Sequence, residues 1–108
     1  MDQRTNQLIS DFINHIADLE PRLETAYVFG SYARGLETPD SDMDVALVIS
    51  NMTDEEKLNL QVQFLLAATK FDSRIEPHPI ASQYFVANNP FVAEVLDGGI
   101  EIKPEMPG

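Results

Sequence analysis

Residues 30–49 read GSYARGLETPDSDMDVALVI. On the N-terminal side, the run TAYVF (25–29) is rich in β-branched and aromatic residues and stops at Gly30, which predicts a strand running into a tight turn. On the C-terminal side, MDVALVI (43–49) is apolar enough for a strand buried on both faces. Between them lie three aspartates, Asp40, Asp42 and Asp44, the last inside the apolar run. A strand that ends at Gly30-Ser31 and turns into a short helix offers free backbone N–H groups and a hydroxyl, a ready anion site for which phosphate is the natural occupant. The competing reading is that Gly30 only permits the turn and Ser31 caps the helix. Asp42 and Asp44 are two apart at the head of a strand, so their side chains share a face and can share one or two divalent cations, while Val45, Leu47 and Ile49 point the other way. A carboxylate interrupting a buried β run is costly without metal or hydrogen bonds, which singles out Asp44. Hard oxygen ligands without cysteine favour magnesium or manganese over zinc.

Two familiar loops are excluded by spacing. Gly30 and Gly35 are five apart as in a Walker A loop, but Leu36 and Glu37 follow where Lys and Ser or Thr are required. Asp40, Asp42 and Asp44 fit the first three ligand positions of an EF-hand, yet position six is Val45 and position twelve is Asn51. Arg34 reads equally as a phosphate contact or as a salt-bridge partner of Glu37 or Asp40. His15 reads as a surface or satisfied histidine, and the role of His78 stays open.

Outward from this stretch, Leu8, Ile9, Phe12, Ile13, Ile16 and Leu19 recur at helical spacing and stop before Pro21, predicting an opening amphipathic helix. Thr53 and Glu56 form a capping box, after which Leu58, Val62, Leu65 and Leu66 mark a helix running to about Phe71. SRIEPHPI (73–80) predicts a third strand, pushed toward a sheet edge because Pro77 and Pro79 cannot donate ladder hydrogen bonds. Asn89 as N-cap, Pro90 at the first helical position and Gly98 beyond the end frame a last helix, and IEIK (100–103) can add a short strand before a tail broken by Pro104 and Pro107. The expected fold is α/β, a small mixed β-sheet with helices packed mainly on one face.

The 108 residues, 44% hydrophobic, predict one domain spanning 1–108 with a modest core. With no cysteine, thiolate metal sites, cysteine nucleophiles and disulfides are excluded, which suits a reducing cytoplasm. Eighteen acidic against seven basic side chains, net −11, argue against nucleic acid as the main ligand. Neither a signal peptide nor a membrane-spanning run is expected, because MDQRTNQ at the start is polar and the apolar runs are short.

Taken together, Gly30-Ser31, Ala33-Arg34-Gly35 and Ser41-Asp42-Met43-Asp44-Val45 resemble the signature of minimal nucleotidyltransferases of the DNA polymerase beta superfamily, most strongly from Tyr27 to Ile49. The resemblance implies a nucleotidyltransferase-like fold, Gly30 and Ser31 (with Arg34) on the phosphates of a nucleotide, and Asp42 and Asp44 on Mg2+ or Mn2+. It also implies a third carboxylate on a later strand, for which Glu76 is the candidate as metal ligand or proton acceptor. The implied reaction moves a nucleoside monophosphate from a nucleoside triphosphate, ATP being the expected donor, to a hydroxyl. Relatives of this size often act as the antitoxin half of a toxin-antitoxin pair, so the expected acceptor is a helical protein partner of the HEPN type. A non-catalytic module that masks a toxin by contact, and a transferase acting on a small molecule, are the alternatives. Acceptor, nucleotide base and homo-oligomerisation stay open at this level.

Overall fold

The run MDVALVI becomes the strand around which the rest of the chain is laid, because six of its seven residues are apolar and must be covered from both sides. A computed structural model of the chain describes residues 1–105; the end of the proline-containing tail, 106–108 with Pro107, lies outside the described residues. In order these are α1 (Gln3–Leu19), β1 (Leu23–Phe29), α2 (Ser31–Arg34), β2 (Met43–Ile49), α3 (Asp54–Ala68), β3 (Ile75–Ala81), a single 3-10 turn (Ser82–Tyr84), α4 (Pro90–Leu96) and β4 (Ile100–Ile102). The sheet order is β3-β2-β1-β4, with β2 and β3 parallel and the other pairs antiparallel. The mixed sheet is therefore as expected, and β1 and β2 are its central strands.

Alternation along β2 divides the core in two. Met43, Val45, Leu47 and Ile49 join Ile9, Phe12, Ile13 and Ile16 of α1 and Leu60 and Phe64 of α3 in the larger cluster. Ala46 and Val48 face the opposite way, where the short α4 covers them with Val92 and Val95. Helices thus lie mainly on one face, and the thinner layer on the other leaves room at its edge for polar groups. Asp2 caps α1 by accepting the Thr5 N–H at 2.7 Å, and Asn89 caps α4 through the N–H groups of Phe91 and Val92.

Helix α3 starts where expected, at a capping box in which Thr53 and Glu56 bond reciprocally. Its buried face is not the stripe that marks it in the sequence. Leu60, Phe64, Ala67 and Ala68 are inside, whereas Leu58, Val62, Leu65 and Leu66 are 69%, 49%, 48% and 64% exposed. Two apolar stripes, each with i, i+4, i+7 and i+8 spacing and offset by two residues, run along this helix, and periodicity cannot choose between them. The sheet selects the stripe that carries Phe64 and two small alanines, which let the helix approach closely. In α1 the expected stripe holds at its centre, but Leu19 is 53% exposed at the helix end.

An ion pair joins the start of β1 to the start of α3: Arg22 donates to Glu20 at 2.7 Å and also to Glu56 of the capping box. The Arg22 hydrogen bond, helped by the Thr53 N–H, lowers the Glu56 carboxyl from its ordinary 4.5 to about 2. A carboxylate whose pKa is depressed by folding stabilises the fold above its unfolded pKa and loses that contribution as pH falls toward the folded value.

Two expectations test this architecture. Truncating the fully buried Phe64 to Ala should cost about 3–5 kcal/mol, whereas Leu66→Ala, on the outer stripe of the same helix, should change stability by less than about 0.5 kcal/mol; denaturant titrations of the two variants compare them directly. Glu56→Gln should lower the melting temperature at pH 7, with the gap to wild type closing between pH 4.5 and 2, the window of the Glu56 shift.

Candidate functional site

The parallel pairing of β2 with β3 sets Asp44 opposite Glu76 and Ala46 opposite His78. Side chains at paired positions share a face, so Asp44, Glu76 and His78 project together on the α4 side, beyond the edge of the Ala46–Val48 layer. One ligand atom from each of the three lies within 4.8 Å of the others. His78 Nε2 is 3.1 Å from Asp44 Oδ1, and both side chains are about one quarter exposed. The imidazole is also walled by the rings of Phe29 and Phe91, with centroids at 5.3 and 5.9 Å, which fixes its plane.

Asp42 stands one residue before β2 and is exposed. It lines the same cleft as Glu76, together with Gln61, Leu65 and Arg74. The Glu76 side chain reaches solvent, yet the protein packed around its carboxyl raises its pKa; His78 opposes the shift, and the negative charges of Asp44 and Asp42 add to it. Three carboxylates are thus gathered at the head of two strands, together with a neutral-or-cationic imidazole and no lysine or arginine bonded to any of them among the described residues.

The Gly30-Ser31 turn closes the site from the β1 side. Phe29 pairs with Asp44 across the β1–β2 ladder, so the turn that follows it passes directly beside that carboxylate. Gly30 has φ +74, and a Cβ there would lie 2.7 Å from Asp44 Oδ2. Glycine is required on both counts, backbone sign and space. Gly30, not Ser31, is the N-cap of α2; Ser31 is its first residue. The N–H groups at the start of this short helix have no partner within it. Arg34, at its end, is exposed and forms no salt bridge among the described residues, so the ion pair with Glu37 or Asp40 is not formed; its stem lies against Gly98.

A second layer holds these pieces in place. Arg74 donates to Asp72 at 2.7 and 3.0 Å and to the hydroxyl of the buried Tyr32 at 2.9 Å, tying α2 to the loop that delivers Glu76. The Met43 N–H donates to the Arg74 carbonyl at 2.8 Å, joining the heads of β2 and β3. Ser41 and Thr38 bond twice around the turn that presents Asp42. Asp72, the other acidic residue near β3, is committed to Arg74, and that bond lowers its pKa. Of the sequence-derived residues, Gly30, Asp42, Asp44 and Glu76 converge, while Ser31 and Arg34 lie on the adjoining short helix. His15 packs on Phe71 in the other layer. His78 was left open by the sequence and sits inside the cluster; its place two residues after Glu76 on one strand is the signal that finds it.

The polymerase beta nucleotidyltransferase family model matches residues 11–103, and the chain belongs to that family. Solved structures agree on the fold. A Sulfolobus solfataricus protein assigned as a nucleotidyltransferase is 19% identical, with a TM-score of 0.62 over 91% of this chain and 78% of its own. A toxin-antitoxin structure with AMP-PNP is 21% identical, TM-score 0.62, over 92% and 73% of the two chains. A mutant of the toxin-antitoxin MntA-HpeT is 22% identical, TM-score 0.58, over 94% and 72%. No curated protein sequence matches the chain at a significant level. By class the protein is a nucleotidyltransferase.

The two positive-φ glycines flanking α2 give a controlled test of the close approach. Gly35→Ala should lose about 1–2 kcal/mol for a side chain in the left-handed helical region, and Gly30→Ala at least as much, since its φ of +74 and ψ of −151 lie in a region open essentially to glycine alone. Only Gly30→Ala adds a collision with Asp44, since a Cβ at Gly35 meets nothing within 4 Å. Stabilisation by Mn2+, read by thermal melting, should therefore fall in Gly30→Ala and persist in Gly35→Ala.

Proposed function

We propose that the chain transfers a nucleoside monophosphate from a nucleoside triphosphate to a hydroxyl on a protein partner, as the antitoxin half of a toxin-antitoxin pair. The observation that carries this reading is the convergence of Asp44, Glu76 and His78 within 4.8 Å, beside Asp42 and beneath a glycine with no room for a side chain. That donor set fits a divalent cation: two carboxylates and an imidazole with ligand atoms within 4.8 Å, a third carboxylate on the same cleft, no Lys or Arg bonded to them among the described residues, and a raised Glu76 pKa that a cation would relieve. Asp42, Asp44 and Glu76 would hold Mg2+ or Mn2+, with His78 either orienting Asp44 or completing the set, an imidazole being better suited to Mn2+ than to Mg2+. Bound there, the cations supply charge neutralisation and alignment for in-line displacement at the α-phosphate.

The protein's own groups account for the rest. The turn at Gly30-Ser31 would bring backbone N–H groups and the Ser31 hydroxyl toward the triphosphate, and Arg34, with no carboxylate partner among the described residues, would add a positive charge from the end of the same short helix. The acceptor oxygen forms its bond to the α-phosphorus as the bond to the bridging oxygen of pyrophosphate breaks. Its proton passes to a Glu76 carboxylate oxygen, which is grouped with Asp44 and His78. A 350 Å³ cavity lined by His78, Tyr84, Asn89 and Phe91 adjoins the cluster and offers aromatic walls for a ring such as a nucleobase. ATP as donor is supported by the AMP-PNP named with one structural neighbour, and a protein acceptor by the toxin-antitoxin pairs among them. A single-domain enzyme of this kind would act in the cytoplasm; among the described residues no helix is long and apolar enough to cross a membrane.

Mn2+ or Mg2+ with ATP at about 100 times its dissociation constant should add roughly 2.7 kcal/mol of stability. Asp44→Asn should abolish transfer without unfolding the chain, because it removes charge from a crowded acidic cluster. Glu76→Gln should cost at least about a hundredfold in turnover with nucleotide affinity largely kept. Pyrophosphate release and melting temperature measured side by side decide the matter: a Glu76→Gln enzyme working at wild-type rate would remove Glu76 from the chemistry, and the absence of any shift with metal and nucleotide would remove the transferase reading.

A further inference from the structure

We propose that the outer stripe of α3, Leu58, Val62, Leu65 and Leu66, is the docking surface for the protein partner, and that the partner meets it with an apolar helix flanked by Lys or Arg. The inference rests on the proposed transfer to a protein and names the surface that presents the acceptor. Four large aliphatic side chains, each about half exposed or more, form one continuous line on a 15-residue helix. A helix that is apolar on both faces is expected to be covered on both. A patch of this kind on a small domain marks an interaction site, whereas single exposed leucines do not.

Two features identify the occupant. The stripe leads into the candidate site: Leu65 and its neighbour Gln61 line the cleft that also holds Asp42 and Glu76. A body seated on the stripe therefore borders the carboxylates and can extend a hydroxyl toward them, which is what an acceptor must do. The second feature is charge. Asp54 and Glu55 outnumber Lys57 at the N-terminal end of the stripe, Asp42 and Glu76 border the cleft end, where Arg74 is paired with Asp72, and the chain as a whole carries −11. A second copy would bring another −11 to an already acidic face, while basic residues around an apolar helix would complement both ends. The stripe supplies the apolar contact and the acidic ends supply orientation and a fast encounter.

The test uses a defined probe, a pair of helical peptides sharing one leucine face and differing only in lysine or glutamate flanks. By fluorescence anisotropy the wild-type chain should bind the lysine peptide and not the glutamate peptide, and Val62→Glu and Leu66→Glu should each weaken binding by about tenfold or more. These variants add negative charge, so binding that is unchanged or tighter in them would show mere charge attraction and overturn the proposal. Val62→Ser and Leu66→Gln, which leave charge alone, should weaken binding in the same direction. Sedimentation of the wild-type chain should give a monomer; a dimer that Leu66→Glu dissociates would overturn the proposal by assigning the stripe to a second copy. Melting with ATP and Mn2+ runs in parallel, and the shift should be kept in all four variants. A wild-type chain that binds the lysine peptide through the stripe but gives no shift supports the docking surface and removes the transferase reading, so the two failures are distinct.

Discussion

The site depends on one pairing, β2 parallel to β3 with Asp44 opposite Glu76. In a strand, both the side-chain face and the direction of the N–H alternate with period two. Pro77 and Pro79 have no N–H, and being two apart they place both gaps on the same edge of β3, the edge away from β2. The ladder is then carried by Glu76, His78 and Ile80, and these are also the residues whose side chains face α4. Sliding β3 by one position would turn Glu76 and His78 into the larger core cluster and expose Ile75 to the site. Two prolines that look like a defect in a strand are thus what permits only one phase of it, and they keep β3 at the sheet's edge, where its side chains can reach a ligand.

Holding Asp42, Asp44 and Glu76 together opposes folding: desolvation by the surrounding protein raises the Glu76 pKa, and the charges of the two aspartates add to it. The offsetting interactions surround the site. β2 is buried on both faces except at Asp44 itself, so its position is set by packing and not by the carboxylate. Arg74, bonded to Asp72 and Tyr32, neutralises an acid near the cleft without touching the three that matter, and fixes the loop before Glu76 to the helix after Gly30. Its positive charge is spent on Asp72 and so does not occupy the place of a cation. Local strain at a site and compensation in its supports is the pattern expected where stability and function compete for the same residues.

Much of this was legible in the sequence, for reasons that can be named. β2 was placed without error because a run of β-branched and aliphatic residues with one carboxylate has few alternatives, and the capping box and Asn89-Pro90 fix helix starts through local chemistry alone. Asp42, Asp44 and Glu76 followed from period-two reasoning plus the family resemblance. The role of His78 stayed open because whether it reached Asp44 depended on the β2–β3 register, a non-local fact. The salt bridge imagined for Arg34 did not form: the residue is exposed and its stem lies against Gly98, far along the chain.

Which face α3 buries was not legible in the sequence, and the physical reason bears on function. Periodicity identifies apolar faces, and for most surface helices there is one, so finding it is the same as finding the core. In α3 there are two. The one with Leu58, Val62, Leu65 and Leu66 carries the larger side chains and would win any ranking by hydrophobicity, yet the sheet took the one with Phe64, Ala67 and Ala68. Bulk explains the choice: alanines near the end of the helix let it lie flat on Met43, Val45 and Ile75, where leucines would hold it away. The rejected face therefore owes nothing to this domain's own packing, and apolar residues maintained there at water's expense are accounted for by a surface outside the chain. A helix with two apolar stripes, one of them taken by the sheet, thus carries on the other the surface we propose for a partner.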